Sequence, residues 1–179
     1  MKRAILVNGV PASGKSTVAR ALADRCGCSL LALDTIKEPF FEALGSVDRD
    51  LNRKLGRAAY AAIFDLIGAF PDGMVTIVEA WFGFQPPEVL AGHVARAGLG
   101  AAVEIWCHAP PEVIGARYAA RVPLRPPQHP GLDYVPELVA LAGRAQPLGA
   151  YPLLPIDTTA PLDLDICCAF LKQAGFPVD

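Results

Sequence analysis

The sequence predicts an α/β fold in which a parallel sheet is covered by helices on both faces, and three observations carry that reading. Short apolar runs alternate with stretches of helical periodicity along the whole chain, as strand–helix–strand crossovers require. Hydrophobic residues make up 53% of the 179, rich in alanine and valine, a composition suited to strands buried on both faces. The first apolar run passes through a glycine-rich turn directly into a helical segment.

In order, residues 4–8 form a first strand through Ile5, Leu6 and Val7, and 16–25 a helix with Val18, Ala21 and Leu22 on its apolar face. Residues 29–33 form a second strand ending at Asp34, and 35–44 a helix through Ile36, Phe40, Phe41 and Leu44. Leu51, Leu55, Ala58, Ala59, Ala62, Ile63 and Leu66 repeat at helical spacing over 48–70, and Pro71-Asp72-Gly73 closes that helix. A third strand, 74–78, is terminated by Glu79. A helix over 87–97, a fourth strand over 101–107 and a helix over 111–121 follow, then a fifth strand over 153–157 and a last helix over 162–174.

Residues 122–151, between the fourth and fifth strands, are dense in proline and arginine and too long for an ordinary connection. They are expected to form an active-site lid that, with the end of the preceding helix, spans about 117–150 of a single domain, 1–179.

Sixteen basic and 18 acidic residues give a net charge of -2, which supplies no general attraction to nucleic acid or anionic membrane; nucleic-acid binding would need a local basic groove. No apolar stretch approaches the roughly 18 to 20 residues of a membrane span. Five cysteines without a C-x-x-C pair, and a start directly into a strand, favour a reducing cytoplasm. Cys26-Gly27-Cys28 reads as plain thiols at a helix end.

The turn after the first strand satisfies the phosphate-binding pattern G-x-x-x-x-G-K-[ST] through Gly9, Gly14, Lys15 and Ser16, between the strand and helix that the pattern requires. Its glycines let successive N–H groups converge on one concavity at a helix N-terminus. Pro11 cannot donate, but Ala12, Ser13, Gly14, Lys15, Ser16 and Thr17 can. Lys15 is placed for the β- and γ-phosphates and the Ser16 hydroxyl for Mg²⁺. No N-K-x-D tetrad for guanine occurs, so ATP is the expected nucleotide. Glu79 is the nearest equivalent of the usual strand-ending aspartate, read as holding a metal-bound water or positioning substrate.

Asp34 stands where ligands collect in open α/β sheets and suits the orientation of an acceptor hydroxyl, although it also suits capping the next helix. Arg117 and Arg121, one turn apart, and Arg125 beyond them bring guanidinium groups to the lid, where they would neutralise charge developing on a transferred phosphoryl group. Lys37, Asn52, Arg53 and Arg57 are within reach of an acceptor, and Trp81, Phe82 and Phe84 shape its pocket. His129-Pro130-Gly131 reads as an exposed turn, the alternative being a lid turn whose histidine contacts phosphate or substrate.

These residues resemble a family of small P-loop kinases that includes chloramphenicol phosphotransferase, gluconate kinase and zeta-toxin-like or shikimate-kinase-like enzymes. The resemblance covers nearly the whole chain. It rests on the loop Gly9 to Thr17, on Asp34-Thr35-Ile36-Lys37, on Gly56-Arg57-Ala58-Ala59-Tyr60, on Arg117-Tyr118-Ala119-Ala120-Arg121 with His129-Pro130-Gly131 as lid, and on Ile156-Asp157-Thr158-Thr159 as last strand and adenine-side loop. It implies a P-loop NTPase fold with a five-stranded parallel sheet in order 2-3-1-4-5 between helical layers, ATP with Mg²⁺, nucleotide contacts from Thr158 and Arg125, and γ-phosphate transfer to a hydroxyl.

The expected function is therefore phosphorylation of a sugar-like or antibiotic-like small molecule. A nucleoside, nucleotide or polynucleotide 5'-kinase, with Arg53 and Arg57 on an acceptor phosphate, is one alternative; a non-catalytic ATP-binding switch module is another.

Overall fold

A computed structural model describes residues 1–178. Five parallel strands lie in the order β2-β3-β1-β4-β5. Strand β1 (Lys2–Asn8) is central, hydrogen-bonded to β3 (Val75–Ala80) on one side and to β4 (Leu99–His108) on the other. The short strand β2 (Ser29–Ala32) forms one edge and β5 (Leu153–Asp157) the other.

The period-two alternation of β1 sends Ile5 and Val7 to one face and Ala4 and Leu6 to the other, all with no exposed surface. On the first face they meet Val18 and Leu22 of α1 (Lys15–Cys26) and Leu171 of α8 (Leu164–Gln173). On the second they meet Tyr60, Ile63, Phe64 and Ile67 of α4 (Arg49–Ala69) and Leu90 of α5 (Pro87–Arg96). Helix α4 starts where Asp48 caps it, its carboxylate accepting from Leu51 N–H at 2.8 Å.

Three elements differ from the sequence expectation. The helix expected over 35–44 is two helices, α2 (Leu33–Lys37) and α3 (Pro39–Leu44), because Pro39 opens a new helix and cannot donate into the old one. Strand β2 ends earlier than expected, so Asp34 lies in the first turn of α2 rather than at a strand end. Strand β3 continues through Ala80, so Glu79 is buried inside it instead of terminating it.

The segment after α6 (Pro111–Arg121) is also more ordered than a bare loop. Short 3-10 turns at Val122–Leu124 and Leu132–Tyr134 lead into α7 (Val135–Ala142). Helix α7 docks on α6 at Gly115, where a Cβ would lie 2.7 Å from Val139 Cγ2, and its Leu138 is fully buried. Val10, Ala12, Ile114 and Tyr118 share that small core, which ties the segment to the glycine-rich loop.

Candidate active site

Where β1 ends, the Asn8 side chain fixes the start of the glycine-rich loop. Its Oδ1 accepts from Gly9 N–H at 2.8 Å and Phe82 N–H at 3.1 Å, and its amide donates to Glu104 Oε1 at 2.7 Å. The loop then turns tightly: Ala12 has φ 65 and Gly14 φ 86, and Ser13 N–H bonds Val10 C=O at 3.1 Å. A Cβ at Gly9 would sit 2.3 Å from Ser13 Oγ and 2.5 Å from Cys107 O, so the backbone approaches too closely for any side chain.

The donors of this loop are fewer than the run Ala12 to Thr17, because Ser13 N–H and Thr17 N–H are spent on Val10 and Gly14 carbonyls. The first N–H groups of α1, at Lys15 and Ser16, have no carbonyl a turn behind them. Ser13 Oγ is buried without a hydrogen-bond partner. This concavity of orphaned donors fits a chain of phosphate groups.

Lys15 Nζ lies 3.4 Å from Glu79 Oε1, and the two side chains are 13% and 10% exposed, so Lys15 is held over the loop by a largely buried acid from the neighbouring strand. Ser16 is exposed at the helix start. The Ser16 hydroxyl and the Glu79 carboxylate are hard oxygen donors of the kind Mg²⁺ prefers.

Asp34 is the centre of a second cluster. Its Oδ1 lies 3.1 Å from Lys37 Nζ and its Oδ2 3.1 Å from Arg125 Nη2. Burial alone would raise its pKa, but Lys37, Lys15 and Arg125 hold it down, to about 2. Lys37 is buried against the Phe41 ring and reaches Asn52 Oδ1 at 3.4 Å.

His129 is not an exposed turn residue. It is 9% exposed, packed edge-on to Phe41, with Nε2 2.7 Å from Glu38 Oε1 and Nδ1 2.9 Å from Arg125 Nη2. Because a guanidinium only donates, Nδ1 accepts and Nε2–H donates to Glu38, which assigns the neutral tautomer. Burial and Arg125 accordingly push its pKa down. Asn52 donates to Gln128 C=O, so α2, α4 and the segment before α7 are bound together here.

The two arginines of α6 diverge. Arg117 turns to the far side of the loop and donates to Thr158 Oγ1 and to Thr158 C=O, each at 2.9 Å. The Thr158 hydroxyl in turn donates to the Ser13 carbonyl at 2.8 Å, and a Cβ at Gly14 would lie 2.9 Å from Thr158 Cβ. Arg121 instead lines a cavity and makes no ion pair among the described residues; burial and Arg125 both disfavour its charge, so an anion placed beside it would relieve it.

That cavity, about 520 Å³, runs from Lys15 and Glu79 past Asp34 and Lys37 to the α4 face carrying Arg57, with Trp81 on its wall. Arg121 and Arg125 line it as well. Of the residues singled out in the sequence, Lys15 reaches this cavity from the loop, whereas Gly9, Ala12, Ser13, Gly14, Ser16 and Thr17 do not line it, and Arg117 and Thr158 also lie outside it, bonded to each other beside the loop. Asn8, Glu38 and Glu104 carry structural contacts that sequence reasoning passed over; the one available signal was an isolated acid, Glu104, within the apolar run of β4.

Residues 5–129 match the family model described as AAA domain (AAA_33). No curated protein sequence matches the chain. Among solved structures, the chain is 29% identical to a "putative kinase" from Chloroflexus aurantiacus, with 97% of this chain and 98% of that one covered and a TM-score of 0.81. It is 21% identical to a sugar kinase from Janibacter sp., covering 99% and 96% with a TM-score of 0.65. It is 18% identical to a gluconokinase from Sinorhizobium meliloti, covering 96% and 93% with a TM-score of 0.61. The two more distant likenesses establish the P-loop kinase fold.

Proposed function

The chain belongs to the AAA domain family AAA_33, and from that premise we propose that it is an ATP-dependent kinase transferring the γ-phosphate to a hydroxyl of a small, sugar-like or antibiotic-like acceptor. The observation that carries this reading is that Lys15 and Asp34 line the same cavity, together with Arg121 and Arg125.

In this reading the loop N–H groups and Lys15 hold the triphosphate, and Ser16 with Glu79 would hold Mg²⁺. The metal, when bound, supplies charge neutralisation across the β- and γ-phosphates. The acceptor oxygen attacks the γ-phosphorus from the Asp34 side. The new P–O bond forms as the bond to the β-phosphate oxygen breaks, ADP leaves with that electron pair, and the hydroxyl proton passes through Asp34 to solvent.

With a pKa of about 2, Asp34 is a weak base but a permanently ionised hydrogen-bond acceptor. Its contribution is chiefly to orient the hydroxyl, which a loose phosphoryl-transfer transition state requires more than early proton removal. Lys37 and Arg125 each take one site on the carboxylate, one per oxygen, and a lone pair on each oxygen remains to accept from the acceptor hydroxyl.

The test is ADP release from ATP and Mg²⁺ against sugars, sugar acids, aminoglycosides, phenicols and nucleosides, with Lys15→Ala as the blank. Turnover that depends on an acceptor and is absent in the blank supports the kinase. ADP release indifferent to every acceptor favours an ATP-binding switch.

A further inference from the structure

We infer that the acceptor is a small polyhydroxylated oxyanion, a sugar acid or sugar phosphate, whose anionic group docks on the arginine face of α4; this rests on the kinase reading above. The basis is the distribution of charge. Of the chain's 16 lysines and arginines, eight line this cavity, against three of its 18 acids. A chain of net charge -2 has thus gathered half of its cations into a single concave site.

The three acids are already matched: Glu79 by Lys15, Asp34 by Lys37 and Arg125, and Glu137 by Arg49. Those pairs take Lys15, Lys37, Arg49 and Arg125, and Arg121 is assigned to the transferred phosphoryl group in the proposed reaction. Three guanidinium groups, those of Arg53, Arg57 and Arg144, remain on the wall and form no ion pair among the described residues. Arg49 lies over the Tyr134 ring, 5.6 Å from its centroid, and Arg53 and Arg144 line the same cavity; burial and Glu137 push the Tyr134 hydroxyl pKa up, and these three arginines only partly oppose that rise.

These arginines are solvent-exposed, but the local geometry sets them along a concave wall rather than an isolated surface stripe. Arg49, Asn52, Arg53, Gly56 and Arg57 recur at helical spacing, so one face of α4 looks into the cavity. Gly56 is buried, yet a Cβ built on it would meet no atom within 4 Å, so the empty space over it belongs to the cavity. The volume, about 520 Å³, is that of a small-metabolite site. Like charges lining a concave wall raise the local concentration of an anion and repel a cation such as an aminoglycoside.

The experiment compares matched acceptors, an aldose, its aldonate and its phosphate, together with an aminoglycoside and a phenicol. It reads acceptor-dependent ADP release and, separately, calorimetric binding of each compound to the protein with a non-hydrolysable ATP analogue. The expected result is a kcat/KM for the aldonate or the phosphate about 100-fold above that of the neutral aldose, the preferred anion identifying the source of the charge. Arg53→Gln and Arg57→Gln should each raise the KM of that anion about tenfold while leaving the KM of ATP in place, and Gly56→Leu should block its binding with the fold intact by circular dichroism. Preference for a neutral or cationic acceptor, or an unchanged acceptor KM in both arginine variants, would overturn the inference while the kinase reading stands. Charge-selective binding without turnover would uphold the inference and overturn the kinase reading. No binding of any oxyanion and no turnover would overturn both.

Discussion

The guanidinium of Arg125 lies 3.1 Å from the carboxylate of Asp34 while the same Nη2 lies 2.9 Å from His129 Nδ1. One side chain beyond α6 therefore joins the acid beside the loop to a buried histidine whose protonation state it depends on. If His129 gained a proton, its Nδ1–H would face a cation, and the contact would be lost.

This contact gives the pH dependence a definite sign. The folded pKa of His129 lies below its ordinary 6.5, so the unfolded chain binds more protons between the two values, and stability falls as pH drops from 6.5 through that window. Asp34 adds a second loss as pH falls from 3.8 toward about 2, where its carboxylate is finally protonated in the folded state. Thermal melts from pH 8 to pH 5 should show the first loss in the parent protein and a flatter profile in His129→Gln. Parallel profiles would remove His129 from the account.

Lys15 and Glu79 should be coupled even without nucleotide. Lys15→Ala leaves an acid that is 10% exposed with no cation at 3.4 Å, so its melting temperature should fall. Adding Glu79→Gln should recover most of that loss but restore no nucleotide binding. Additive losses in this double-mutant cycle would mean that the pair contributes nothing.

Glu104, fully buried in β4, accepts from the Asn8 amide and from Leu148 N–H, and burial raises its pKa. Glu104→Leu orphans both donors, at a cost of about 1–3 kcal/mol for each. It should also weaken nucleotide binding, because Asn8 holds Gly9 N–H at the loop entrance. Glu104→Gln keeps an acceptor and should lose less. Urea midpoints equal to the parent for Glu104→Leu would contradict this role.

Much of this architecture was legible in the sequence, for reasons specific to each part. The strand, loop and helix from Lys2 to Cys26 could be read because glycine spacing and apolar periodicity agree there, and α6 and β5 fall on the expected residues. The break at Pro39 was visible as a proline but was outweighed by the apolar spacing from Ile36 to Leu44. Helix α7 was hidden because prolines and arginines dominate its surroundings, and its reason to form is tertiary, the Gly115 notch against Val139. Likewise the divergence of Arg117 from Arg121 depends on Thr158, and the burial of His129 on Phe41 and Glu38, partners distant in sequence. Local pattern brought Lys15, Asp34, Arg121 and Arg125 to notice; only the folded chain shows that they share a cavity.

Acceptor-dependent ADP release by Asp34→Asn is the sharpest test of whether Asp34 orients an acceptor hydroxyl against the triphosphate held at Lys15. The expected result is a loss of roughly 100-fold or more in kcat, with ATP affinity by calorimetry kept near that of the parent. Parent-like turnover in Asp34→Asn would contradict it.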